Sequence, residues 1–336
     1  MMNTKRWVAL GVAAVVLLFS IMVQVVQWAS PNKEQSTSFW DTLLADELFE
    51  DVLEKGSFSE RIAVMRVNGA IIDDNPSFLS TETYHHQTFL MQLEEIANDS
   101  TVKGVILVVN SPGGGVYESA QIKEQLDQLQ DEHDLPIYAS FGSMAASGGY
   151  YISAGADRIF ATKETLTGSL GVIMSSFEVS ELMENIGVGE ETITSGEYKD
   201  IGSFTRKMTD AEIEILQELI DRSYDDFVDL IVEGRNMSEE DVRQIADGRI
   251  YDGGQAQENG LVDELGNFDD AVSAMKENHD LEGAQVFSYS VPVRFGSWFE
   301  ITAQDFFRSN IFGRDYLAET ANLNRGPRLM YMYGEW

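Results

Sequence analysis

The sequence predicts an α/β fold built of repeated βαβ units, carried behind an N-terminal transmembrane helix. Three observations predict it. From Arg61 onward, short apolar runs alternate with segments whose apolar residues recur at helical spacing, the pattern of parallel βαβ units. Residues 104–109 are apolar without a charged or polar interruption, as a strand covered on both faces should be. Residues 7–29 form an apolar run broken only by Ser20, Gln24 and Gln27, long enough to cross a ~30 Å hydrocarbon core as a helix.

The elements follow in order. Lys5 and Arg6 precede the apolar run, while Lys33 and Glu34 after it cancel, so the positive-inside bias keeps the N-terminus cytoplasmic and the rest of the chain outside. The run is longer than the apolar core of a cleaved secretory signal, which favours a signal anchor that stays in place. Residues 31–60 are polar and acidic and read as a tether. Residues 62–67 read as a strand, 88–97 as a helix with Phe89, Leu93 and Ile96 on one face, and 104–109 as the next strand. A helix at 116–129 turns Ile122, Leu126 and Leu129 inward.

Further on come a strand at 137–141, a helix at 148–156, strands at 158–161 and 171–174, a helix at 179–186 and a strand at 191–194. Thr209 and Glu212 form a capping box that opens a long helix to about residue 233, and Ser238 with Asp241 opens another. A helix from 268 to 277 and a strand at 285–289 complete the readable part. The apolar tail Leu329-Met-Tyr-Met-Tyr-Gly-Glu-Trp336 is unusual for a free terminus. It fits packing on a neighbouring protomer, or a tethered peptide lying in an active site.

Composition narrows the function. The chain of 336 residues has 56 acids against 23 bases, a formal charge of −33 and no cysteine. Since residues 1–30 hold two bases and no acid, the remainder is more acidic still. Such a surface repels phosphate backbones, which excludes a basic nucleic-acid groove. Without cysteine there is no disulfide scaffold, thiolate metal site or cysteine nucleophile. Four histidines leave little room for a multi-histidine metal centre, and no cofactor motif is present.

Chemistry concentrates in three segments. Asn110-Ser-Pro-Gly-Gly-Gly115 follows a strand and precedes a helix. Its glycines let the backbone come close to a ligand and turn N–H groups toward an oxyanion. It is neither a P-loop nor a dinucleotide fingerprint, and a plain strand-to-helix turn is the other reading. In Ser143-Met-Ala-Ala-Ser147-Gly-Gly-Tyr-Tyr151, small residues leave the space before the Ser147 hydroxyl open, with the Gly148 N–H beside it. Ser147 could equally cap the helix, and Ser143 competes as a nucleophile.

A serine nucleophile needs a base. His85, His86, His133 and His279 all read as solvated surface. Lysine remains, almost wholly protonated at neutral pH, so only one in a dry pocket qualifies. Of nine lysines, Lys163, Lys199 and Lys207 stay in contention. Lys199 lies in the third segment, Ser195-Gly-Glu-Tyr-Lys199-Asp-Ile-Gly202, where a surface lysine paired with Asp200 is the simpler reading.

Taken together, Ser111–Gly115, the Ala-Ser-Gly-Gly-Tyr of 146–150, the Thr-Gly-Ser-Leu-Gly-Val of 167–172, the Ser-Gly-Glu-Tyr-Lys-Asp of 195–200, and the stretches 248–253 and 260–263 resemble the signal peptide peptidase A family, membrane-anchored Ser–Lys dyad serine proteases. The resemblance covers roughly residues 60–275 plus the anchor, in the short single-unit form. It implies a Clp-protease/crotonase-like fold with Ser147 as nucleophile and Lys199 as general base. Gly114 and Gly148 would supply the oxyanion hole, and Ser169 the hydroxyl that orients the lysine.

It also implies a single-pass cell-membrane protein that degrades cleaved signal peptides after secretion, assembled as a ring- or dome-shaped homo-oligomer, with no cofactor. On this reading residues 1–30 are cytoplasmic stub and anchor, 31–60 tether, 61–280 catalytic domain and 281–336 a C-terminal segment available for oligomer contacts. Strong acidity is not part of the family pattern, and the last 60 residues match it poorly. An acyl-CoA enzyme on the same fold and a catalytically dead scaffold are the rival readings; the anchor opposes the first, and the intact set of Ser147, Lys199, Ser169 and Gly114 opposes the second. A lysine base acts only as the neutral amine, so peptidase activity should rise from pH 6 toward pH 10. A flat profile over that range, with the fold intact, contradicts the lysine.

Overall fold

In the computed structural model, residues 48–73, 84–290 and 328–334 are described, and all of them belong to one compact unit. Its frame is a nine-stranded sheet whose core strands are parallel. Strand β1 (Phe49–Glu54) forms one edge, antiparallel to β10 (Ala284–Ser290). Beyond β10 lie β2 (Ser57–Asn68), β3 (Val102–Ser111), β5 (Ile137–Ala146), β6 (Arg158–Ala161) and β9 (Glu264–Leu265), each parallel to its neighbour. Strand β7 (Leu166–Gly168) extends the far end of β5 and pairs antiparallel with β8 (Ile250–Asp252). A two-stranded ribbon stands apart, β4 (Gly113–Gly115) with β11 (Met330–Met332).

Side-chain alternation along the strands divides the core in two. Ala63, Met65 and Val67 of β2, with Val105, Leu107 and Val109 of β3, face one layer of helices. That layer contains α1 (His86–Asn98), α2 (Val116–His133) and α5 (Asp210–Arg235), contributing Phe89, Leu93 and Ile96, then Ile122, Leu126 and Leu129, then Phe227, Val228 and Ile231. The intervening Ile62, Val64 and Ile106 face α8 (Phe268–Asn278) through Ala271, Val272 and Met275. Gly104 matters here: a Cβ on it would meet the Met275 sulfur at 2.5 Å, so α8 lies directly on β3 only because that position is bare.

The remaining helices are short: α3 (Gly148–Tyr151), α4 (Ser180–Asn185), α6 (Glu239–Ile245) and α7 (Gly253–Glu258). Capping chemistry sets several helix starts. Thr209 and Glu212 form the expected reciprocal box at α5, and the Ser238 hydroxyl accepts from the Asp241 N–H at α6. The helix expected over 148–156 closes after one turn. There Ser153 N–H bonds to the Tyr150 carbonyl while its hydroxyl takes the Gly149 carbonyl.

Some expectations give way. From Phe49 the chain is already in β1, and β2 begins at Ser57, so the described end of the presumed tether belongs to the sheet. Residues 191–194 are not a strand. Among the described residues their Glu-Thr-Ile-Thr alternation has no strand beside it to pair with, and Ile193 is 94% exposed. Residues 171–174 contribute only a single bridge, Ile173 to Met330. His86 is buried rather than solvated, its ring held between the Tyr84 hydroxyl at 2.5 Å and Gln121 at 2.9 Å. Among the described residues no helix is long and apolar enough to cross a membrane; the expected span over residues 7–29 lies outside them.

Close helix packing brings α5 against the segment after α3. A Cβ on Gly234 would overlap the Ala154 carbonyl, and backbone cannot yield as a side-chain tip can. Gly234→Ala should therefore destabilise the protein by about 1–3 kcal/mol despite the better helix propensity of alanine. The denaturation midpoint of the variant checks this; an unchanged or raised midpoint contradicts the packing.

Candidate active site

Parallel strands deliver their following loops to one edge of the sheet, where α/β proteins place their ligands. Here β3 and β5 are neighbours, with Ser111 in register with Ala145, so the Gly113–Gly115 strand and the Ser147 turn emerge side by side. Between β5 and α3 the chain turns sharply at Ser147, whose φ is +53° and ψ −115°. That is a disfavoured conformation for any residue with a Cβ, costing on the order of 1–3 kcal/mol. Its N–H donates to the Gly168 carbonyl at 2.8 Å, and its carbonyl accepts from Tyr151 N–H at 2.8 Å, which hold the turn from both sides. The hydroxyl is buried and has no hydrogen-bond partner among the described residues. Ser143, the competing candidate, is exposed and donates to Asn110 at 2.8 Å.

Gly114 stands next to Ser147 through a second set of constraints. On one side, Ile71 N–H donates to the Gly113 carbonyl and Gly115 N–H donates to the Ile71 carbonyl, which leaves the N–H and carbonyl of Gly114 pointing the other way. On that other side lies β11. Its antiparallel register opposes Tyr331 to Gly114, and the flanking bonds Val116 N–H to Leu329 and Tyr333 N–H to Pro112 fix the alternation. Every second pair in such a ladder is hydrogen-bonded, so the Gly114 N–H donates to the Tyr331 carbonyl. Gly148 shares the space: a Cβ on it would lie 3.0 Å from the Gly114 nitrogen and 3.1 Å from the Tyr331 carbonyl oxygen. Two N–H-bearing glycines and one peptide carbonyl thus meet at the residue that follows Ser147.

The tail completes a ribbon. Met330 exchanges both backbone bonds with Ile173, at 2.9 and 3.0 Å, so β11 lies between β4 and residue 173 as an extra strand. The Tyr331 side chain is buried, stacked on Tyr151 at 4.8 Å and against Phe227, with its hydroxyl donating to the Ser223 carbonyl at 3.0 Å. Of the two readings of the apolar tail, the described part fits a tethered peptide in the site. The sequence signal was its apolarity; its partners Ile71 and Ile173 carried no signal, being single residues brought together by the fold.

Ser169 follows Gly168 in a turn with φ of +50°, buried, its N–H donating to the Arg249 carbonyl at 2.7 Å. Lys199 is placed differently from the dry pocket that a lysine base requires. It is exposed, and among the described residues its amine makes no hydrogen bond or ion pair. Lys163 and Lys207 are exposed as well. The acid expected to occupy Lys199 is taken elsewhere: Arg206 grips both Asp200 oxygens at 2.8 Å and both Glu212 oxygens at 2.5 and 2.8 Å. These hydrogen bonds from Arg206 hold Glu212 down to about 2 and lower Asp200 as well. Among the described residues no group of three or more acids and histidines is arranged to hold a metal.

Such an arrangement can add a hydroxyl to a peptide carbonyl and hold the resulting oxyanion between two N–H groups, the chemistry of a serine-type peptidase. The model of peptidase family S49 matches residues 130–282. A protein of Enterococcus faecium named "Putative signal peptide peptidase SppA" is 46% identical over 86% of this chain and 85% of its own length. Protease 4 of Haemophilus influenzae is 35% identical over 68% of this chain but only 36% of its own length, and the chloroplastic serine protease SPPA of Arabidopsis thaliana is 29% identical over 66% and 33%. The chain belongs to peptidase family S49.

The Arg206 clamp yields a test. Because Glu212 titrates lower in the folded protein than in the unfolded chain, its contribution to stability is complete above the usual carboxylate range near pH 4 and is lost as pH falls toward about 2. Arg206→Ala should flatten that acid-side loss and speed amide exchange across residues 196–203, which the clamp ties to α5. Melts across pH and hydrogen exchange check this; unchanged exchange would mean that the loop is held by something else.

Proposed function

We propose that this chain is a membrane-anchored endopeptidase that degrades signal peptides left after secretion, with Ser147 as nucleophile and Lys199 as general base. The observation that carries the reading is the placement of the Tyr331 carbonyl, on the Gly114 N–H and close to Gly148, the residue that follows the buried Ser147. A substrate peptide adds as a strand between Gly113–Gly115 and residue 173, as β11 does, and main-chain bonds provide affinity with little regard to sequence. The fold is of the Clp-protease/crotonase kind. Residues 1–30 anchor the chain with a cytoplasmic N-terminus, the residues from 31 up to β1 tether it, and the catalytic domain outside the membrane takes in β1 to β10 together with the tail strand β11. No cofactor and no nucleic acid takes part.

In the first step, the Ser147 oxygen bonds to the carbonyl carbon while its proton passes to the neutral Lys199 amine. The oxyanion forms against the N–H groups of Gly114 and Gly148. Collapse breaks the peptide bond, and the leaving amine takes the proton back from Lys199. Water, deprotonated by Lys199, then attacks the acyl carbon, and Lys199 returns that proton to the Ser147 oxygen as the acyl–oxygen bond breaks. Ser169, one residue past the Gly168 that holds Ser147, orients the lysine.

Lys199 is exposed and so, in the same segment, are Phe177, Leu182, Ile186 and Ile193, each more than half exposed. An apolar arm of this kind buries itself on a partner. A second copy is the occupant that also supplies what each chain lacks: the arm carries Lys199 to the Ser147 of its neighbour, where burial expels water and disfavours the charged amine. The homo-oligomer is thereby part of the chemistry. Mixing Ser147→Ala with Lys199→Ala, each inactive alone, should restore about a quarter of wild-type peptidase activity when subunits are co-assembled. If the mixture stays inactive while the two variants demonstrably co-assemble, the pair lies within one chain or Lys199 is not the base.

A further inference from the structure

We infer that Glu118 is a specificity-determining residue that selects a lysine or arginine as the fourth residue before the cleaved bond. The inference rests on the peptidase reading above, which places Tyr331 where the residue before the cut would lie. Arg328 is then the third residue upstream of Tyr331, and its guanidinium contacts the Glu118 carboxylate at 2.5 Å.

The carboxylate is built into the site rather than left on the surface. Glu118 lies in the first turn of α2, immediately after the Gly113–Gly115 strand, and is only 4% exposed. Its Oε1 faces Arg328 and the Asp73 N–H, the latter at a long 3.4 Å. Its Oε2 is buried with no hydrogen-bond partner among the described residues. Gly115 makes the room, because a Cβ there would overlap Oε2 and come within 2.9 Å of the Arg328 guanidinium. A carboxylate taken out of water with one oxygen unsatisfied is costly unless a cation sits on it. The groove therefore favours occupants that bring one.

The occupant seen here has the order basic, apolar, apolar, aromatic: Arg328, Leu329, Met330 and Tyr331. The favoured substrate is accordingly a peptide in which a basic residue heads an apolar stretch, cut three residues into that stretch. The strong negative charge of the chain adds long-range attraction for such a basic end.

The test uses the full-length protein and quenched-fluorescence peptides that differ only at that position, Arg-Leu-Met-Tyr against Gln-Leu-Met-Tyr and Glu-Leu-Met-Tyr, with products located by mass spectrometry. The tethered tail competes equally with each peptide, so it cancels from ratios of kcat/KM. Wild type should prefer the Arg peptide over the Gln peptide by about ten-fold or more, the value of a hydrogen-bonded charge pair. Glu118→Gln, nearly the same shape, should bring that ratio close to one, and Glu118→Arg should favour the Glu peptide. A wild-type ratio near one, or a preference that survives Glu118→Gln, overturns the inference while leaving the peptidase reading standing. Failure of wild type to cut any of the three after Tyr removes the register itself, and the inference with it.

Discussion

The site depends on backbone approaching backbone with no side chain between. A Cβ would overlap the Tyr331 carbonyl at Gly113, the Ile71 carbonyl at Gly114 and the Glu118 carboxylate at Gly115, and at Gly148 it would crowd the Gly114 nitrogen. Only where these positions are bare can the Gly114 N–H reach the Tyr331 carbonyl with Gly148 lying alongside. The parallel sheet supplies the rest: β3 and β5, adjacent and in register at Ser111 and Ala145, bring the two glycine loops together. The strain at Ser147 belongs to the same construction. Gly168 and Tyr151 hold the turn, and the core beneath, with Tyr150 fully buried and its hydroxyl on the Leu261 carbonyl, keeps it from relaxing.

In the proposed mechanism a serine held this way is half of a catalytic pair. Its hydroxyl is dry and unpartnered, while the lysine proposed to activate it stands in water on an apolar arm. The two facts are complementary: the burial that a lysine base requires and the cover that the arm requires are met together if copies associate. Association must work against the repulsion between strongly acidic chains, which makes the apolar contact of Phe177, Leu182, Ile186 and Ile193 the natural driving term.

Much of this was legible in the sequence, and the reasons for the remainder are physical. The apolar run at 104–109 announced a strand buried on both faces, and it is β3. Thr209 and Glu212 announced the start of α5 because a capping box is a local device, complete within four residues. Strand β7 was missed, since Leu166–Gly168 has only three residues and exists through pairing with β5 and β8. Residues 191–194 carried the alternation of a strand but lack a pairing strand among the described residues. His86 was misread because its neighbours in sequence are polar, whereas its neighbours in space are Tyr84 and Gln121. Glu118 gave no signal at all: one more acid in an acidic chain, distinguished only by burial.

The central claim is that Ser147, at the Gly114 and Gly148 N–H groups, is the group that attacks. Its most direct measurement is covalent labelling of the full-length protein with a fluorophosphonate, whose phosphoryl oxygen takes the place of the developing oxyanion, followed by peptide mapping. One adduct per chain, on Ser147 and not on Ser143 or Ser169, with loss of activity in proportion, is the predicted result. An adduct on another serine, or full loss of activity with Ser147 unmodified, would contradict the account.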